Sequence, residues 1–189
     1  HATAAETLRR LPDLDGLIDS APRQRLPDDA KARFALRIAL VQALALGTPG
    51  HAAIATVLPL VDGGPRKLVH GVFGALVRQG ATLPEPPTLP DPVALRWHAA
   101  WGDPMIEDAE RAIAVPPPLD LTLRDPAILP DLPGTSLIPG HLRLDEKGAV
   151  AMLDGYAEGG WWVQDLAASL PARLIGKGAG RALDLCAAP

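Results

Sequence analysis

PDDAKARFALRIALVQALAL, residues 27–46, is the clearest helical stretch in the chain and decides how the first half folds. Pro27-Asp28-Asp29 opens it, with Asp28 as the expected N-cap. Phe34, Ile38, Val41 and Ala45 fall three or four apart, which places them on one apolar face. Gly47-Thr48-Pro49-Gly50 ends the helix. Upstream, Leu8, Leu11, Leu14, Leu17 and Ile18 keep a helical spacing that breaks at Pro12. Proline suits the first turn of a second helix, and Asp13 and Asp15 are favourable near its positive end. Downstream, residues 51–60 predict a third helix, closed by Asp62-Gly63-Gly64. A fourth starts at Pro65 and carries Leu68, Val69, Val72, Phe73, Leu76 and Val77. Residues 1–80 thus read as one all-helical domain with connections short enough for a compact bundle.

The texture then changes. Residues 81–92 hold five prolines, at 84, 86, 87, 90 and 92. Proline fixes φ and removes backbone donors, so this stretch reads as a stiff, extended linker. Residues 93–101 and 105–114 predict two short helices. Leu119, Leu121 and Leu123 alternate with Asp120, Thr122 and Arg124, the period of a strand. Residues 141–144, 150–153 and 161–163 are further strand candidates between Gly-rich turns. A helix is expected over 165–175, with Pro171 inside it, and a buried strand over 181–185. The expected division is therefore a helical domain 1–80, a linker 81–92, an α+β subdomain 93–158, and an α/β domain opening at 159–189.

Of 189 residues 48% are apolar and 21% charged, a globular balance that allows one large domain or two small ones. Eighteen glycines and 21 prolines rule out a long coiled coil. The single cysteine, Cys186, excludes an internal disulfide and a Cys-cluster zinc site, and makes a reducing compartment, the cytoplasm, the default. No apolar run is long enough for a membrane span, and the first residues lack the pattern of a signal peptide. A start without methionine and a stop at Cys186-Ala187-Ala188-Pro189 read as a chain cut at both ends. The net charge of −4 is uneven: residues 1–80 carry ten Lys/Arg against seven Asp/Glu, and residues 81–189 eight against fifteen. The first half could face a polyanion, although a solvated surface explains the same excess.

Generic catalytic patterns are absent: no Gly-x-Ser-x-Gly, P-loop, His-Glu-x-x-His or Cys-x-x-Cys occurs. His1, His51, His70, His98 and His141 are scattered without metal spacing and read as surface or helix-end residues, so no metal is expected. Trp97 and Trp101, four apart, read as core packing rather than as a base-stacking platform. The most informative stretch is the last. Trp161-Trp162-Val163-Gln164-Asp165 is followed by Leu183-Asp184-Leu185-Cys186-Ala187-Ala188-Pro189, an apolar strand running into small residues. In a doubly wound fold such a strand end forms a backbone-lined ligand pocket.

These residues resemble the bacterial rRNA cytosine-C5 methyltransferases of the Sun/RsmB type, in which the last motif continues into Gly-Gly-Lys-Thr. The upstream chain is similar in order. Arg10-Leu11-Pro12-x-Leu14-Asp15-x-Leu17-Ile18 resembles the opening of the family's NusB-like domain. Pro49-Gly50-His51-Ala52-Ala53-Ile54 and Lys67-Leu68-Val69-His70-Gly71-Val72 resemble two of its helices. His70 stands where the family usually has Asn, and Gly74 where Arg often sits. The resemblance implies a fold of several domains, α plus α/β: a NusB-like helical bundle, a small α+β subdomain and the first strand of a Rossmann-like methyltransferase domain. It implies S-adenosyl-L-methionine as cofactor, held in part by Cys186, Ala187, Ala188 and Pro189. It implies small-subunit ribosomal RNA as partner of a monomeric chain, with the two catalytic cysteines in later motifs. Cys186 belongs to the cofactor loop and is not read as the nucleophile. Candidate phosphate contacts are Arg23, Arg25, Lys31 and Arg33 around the start of the long helix, and the Arg66-Lys67 pair. Two readings stand beside this one: a non-catalytic RNA-binding protein of the antitermination type, and a helical scaffold whose tail match is accidental. Residues 93–189 count against the former, because a lone helical module needs no such tail.

Overall fold

A computed structural model describes residues 2–21, 25–146, 148–176, 180, 181, 183 and 185. Eight α-helices and a four-stranded sheet are assigned among them. They form two compact units that divide between Pro116 and Pro117, inside the run Pro116-Pro117-Pro118.

The first unit is helical: α1 (Ala2–Arg9), α2 (Leu11–Ser20), α3 (Lys31–Leu44), α4 (Gly50–Val57), α5 (Gly63–Arg78), α6 (Asp91–Trp101) and α7 (Asp103–Ala114). Pro12 sits in the first turn of α2, where its missing N–H costs no hydrogen bond. The central helix α3 packs against α1, α2, α4 and α5. This explains why its burial is wider than one face. Ala32, Ala35, Leu36, Ala39, Leu40 and Val41 are all inside, and the core continues through Leu14, Ile18, Val57, Val69 and Phe73. Phe34, expected on the buried face, is instead half exposed, with the Arg37 guanidinium 5.0 Å from its ring centre. α3 also begins two residues late. Ala30 takes the cap position, while Asp28 is drawn into an ion pair with Arg25 at 2.9 Å.

Residues 81–92 are not a free spacer. Arg10 Nη1 donates to Pro84 O at 2.8 Å, and its guanidinium also meets Glu85. Thr88 N donates to Asp13 at 3.1 Å, Leu89 N donates to Glu110 at 3.2 Å, and the Leu89 side chain is buried. The prolines make the strand stiff, and these bonds lay it along the helices as a strap. With it, α6 and α7 belong to the helical unit rather than to the α+β part.

The second unit is an antiparallel sheet with the order β2-β3-β1-β4. Its strands are β1 (Leu119–Leu123), β2 (Gly134–Thr135), β3 (His141–Leu144) and β4 (Trp161–Val163), followed by α8 (Leu166–Leu174). Registers pair Leu121 with Leu142 and Thr122 with both His141 and Trp162. Because alternate side chains leave opposite faces, Leu121, Leu123, Leu142, Leu144 and Trp161 gather into one apolar cluster. Asp120, Thr122, His141 and Arg143 point the other way, toward α8, which packs on β1. Residues 150–153, expected as a strand, form a 3₁₀ turn over Val150–Met152, and the short β2 was not foreseen. β4 pairs with β1, so residues 161–163 share one sheet with residues 119–123. Of the expected strand 181–185 only residues 181, 183 and 185 are described, and they are exposed.

Candidate nucleic-acid interface

The six basic candidates have different fates. Arg66 and Lys67 lie side by side on α5 near its start, and both are exposed. No hydrogen bond or ion pair engages either one among the described residues. Together with Leu58, Gly63 and His70 they line a depression of about 530 Å³. The first turn of α5 has no acidic residue, and its cap residue Asp62 makes no side-chain bond to it. The end that carries the positive half of the helix dipole is thus open beside two cations. Lys31 is exposed at the first position of α3, the same kind of place.

Arg25 is exposed but engaged, reaching Asp19 at 3.0 Å and Asp28 at 2.9 Å. Arg33 is not a surface cation at all. Its side chain is 0% exposed, and it donates to Asp15 at 3.1 Å, to Asp19, to Leu26 O at 2.7 Å and to Pro27 O at 3.3 Å. Arg37 adds a two-pronged bond to the same Asp15, at 2.8 and 2.7 Å. Burial pushes the Asp15 carboxyl up, but the bonds from Arg37 and Arg33 outweigh it and hold it below the usual range. The guanidinium of Arg33 therefore ties α2 to the turn before α3, and it drops out as a phosphate contact. Sequence reading sees a charge in a basic cluster; only the three-dimensional return of α2 reveals the acids waiting for it. Arg23 lies outside the described residues, as do Cys186, Ala187, Ala188 and Pro189.

A second polar cluster escaped the sequence reading. Asp120 is fully buried between the sheet and α8, and takes a two-pronged bond from Arg143 at 2.7 and 2.8 Å. It also accepts Leu166 N at 3.1 Å, while His141 Nε2 lies 3.4 Å away. The Arg143 bond, against the upward push of burial, lowers the Asp120 pKa to about 2. Asp165 caps α8 by accepting from Ala167 N at 2.8 Å. The cluster thus fixes the start of the helix that follows Val163-Gln164-Asp165. His141, expected at a surface, is buried. The strand alternation did give the polar face; what it lacked was the helix that covers it.

Trp97 and Trp101 meet edge to face with centroids 6.0 Å apart, but Trp97 is only half-buried and Trp101 mostly exposed, so neither is the core residue expected. Among the described residues no group of three or more His, Cys, Asp or Glu is placed to hold a metal ion, and no helix is long and apolar enough to cross a membrane. Compared with models of known protein families and with curated protein sequences, the chain matches none.

Proposed function

We propose that this chain is the RNA-holding, N-terminal part of a small-subunit rRNA cytosine-C5 methyltransferase of the cytoplasm. The observation that carries the RNA role is the exposed Arg66-Lys67 pair beside the uncapped start of α5. Two neighbouring cations with no carboxylate to satisfy them match a phosphate backbone, and an open helix start adds backbone donors. The sheet and the cap of α8 by Asp165 are compatible with a segment that presents the following chain in a fixed direction. The assignment to methyl transfer rests on the sequence resemblance alone, through Val163-Gln164-Asp165 and the stretch from Leu183 to Pro189. S-adenosyl-L-methionine would supply the methyl group, and Cys186, Ala187, Ala188 and Pro189 would hold part of it. The NusB-like character of the bundle and the Rossmann-like character of the last strand belong to the same proposal. A cytosine must leave its stack before its C5 can be reached, so the task of this part is to grip structured RNA while another part works on the base.

The test is a titration of the chain with a structured small-subunit rRNA fragment and with duplex DNA of equal length. Tighter binding of the rRNA, lost at least ten-fold in the Arg66→Ala, Lys67→Ala double variant, supports the reading. Equal affinity for both nucleic acids, or an unchanged double variant, overturns it.

A further inference from the structure

We propose that His70 is a third phosphate contact beside Arg66 and Lys67, one that binds as the imidazolium and so couples the grip on RNA to proton uptake; this rests on the RNA-holding role proposed above. His70 lies one helical turn beyond the pair, four residues after Arg66 and three after Lys67. Those spacings bring side chains together on one face of a helix. All three residues are exposed and line the same depression, whose other walls are Leu58 and Gly63. No carboxylate lines it. Among the described residues no hydrogen bond or ion pair engages His70.

The surroundings leave the charge of this imidazole to the ligand. Helix α5 packs against α3, α4 and the 3₁₀ turn Leu58–Leu60. That turn has no titratable side chain. The one titratable residue of α4 is His51, in its first turn, at the end that meets Phe73 and Val77. On α3, Arg33 and Arg37 are tied to Asp15 of α2, and Lys31 stands at the first position. On α5 itself Arg78 is in the last turn, and Asp62 before the helix forms no ion pair among the described residues. The charged groups that share the depression with His70 are thus Arg66 and Lys67. Two cations oppose a third at close range, and a phosphate seated among them removes that opposition. Lysine, arginine and a phosphodiester keep their charges between pH 6 and 8, whereas histidine titrates there. A protonated imidazole offers a donor at each ring nitrogen, which suits the free oxygens of a phosphate.

The experiment titrates the whole chain at low, constant salt with a structured small-subunit rRNA fragment that lacks terminal phosphates, at pH 8, 7 and 6. Affinity of the native chain should rise by at least about five-fold from pH 8 to pH 6. His70→Gln, at an exposed helical site, keeps a hydrogen-bonding side chain but cannot titrate, and its affinity should change by less than about two-fold over the same range. His51→Gln, which removes the histidine of α4, should keep the native pH dependence. Calorimetry in two buffers of different ionisation enthalpy should show net proton uptake on binding by the native chain and none by His70→Gln. Binding that is indifferent to pH, or a pH dependence that survives His70→Gln, overturns the assignment to His70 and leaves the RNA-holding role standing. No binding by the native chain at any of the three pH values overturns that role and this assignment with it.

Discussion

Replacing Asp120 by Asn removes one charge from the buried joint between the sheet and α8. In the native unit the carboxylate takes two bonds from Arg143 and one from Leu166 N, and its pKa falls from 3.8 to about 2. A shift of that size corresponds to about 2–3 kcal/mol of stability at neutral pH. The amide has one acceptor oxygen in place of two, and its NH₂ would face the guanidinium. The variant should therefore be less stable by about 2–3 kcal/mol at pH 7. Because the folded pKa is depressed, this stability is fully present above the unfolded value. It is lost as pH falls from about 4 through about 2, so the gap between native and variant should shrink to roughly half by pH 3. Urea unfolding read from the amide signals of Leu121 and Leu142 isolates this unit from the helical one. A variant within about 0.5 kcal/mol of native at pH 7, smaller than a typical hydrogen bond, would refute the reasoning. So would a gap that stays constant down to pH 3.

Arg33→Met should destabilise the helical unit by about 3 kcal/mol, because Asp15, Asp19 and two carbonyls lose their shared donor; urea unfolding followed by helical circular dichroism measures it. Gly155 has φ +87°, and a Cβ there would sit 2.9 Å from Trp161 Nε1, which donates to Asp154 O. Gly155→Ala should thus cost about 1–3 kcal/mol and shift the Trp161 emission toward that of a wetter indole. The chain incubated with labelled S-adenosyl-L-methionine and unmodified small-subunit rRNA should leave the RNA unlabelled, since its one cysteine lies in the motif read as the cofactor loop; labelled cytosine would refute that assignment of Cys186.

Most elements were legible because their signals are local. Leucine alternation at 119, 121 and 123 fixed β1, while β3 lies between Gly140 and Gly148 and β4 follows directly on Gly159-Gly160. Pro12 marked the break between α1 and α2. The misreadings share one cause, which is that tertiary partners are invisible to spacing. α3 is covered by four helices, so a one-faced pattern understated its burial and misplaced Phe34. A proline-rich stretch looks like a linker until Arg10 and Asp13 bind it down. The candidate site shows the same limit. Arg66 and Lys67 were recoverable as an adjacent pair at a helix start, whereas Arg33 was lost to acids fourteen and eighteen residues upstream in α2.

The most direct test of the RNA role is the salt dependence of binding to a structured small-subunit rRNA fragment, measured for the native chain and for the Arg66→Ala, Lys67→Ala variant. Each phosphate neutralised releases counterions, so the logarithm of the binding constant should fall linearly with the logarithm of salt concentration. If both side chains contact phosphate, the variant's slope should be shallower by roughly 1.4–1.8. Parallel lines for the two proteins, or no binding by the native chain at low salt, would contradict the account.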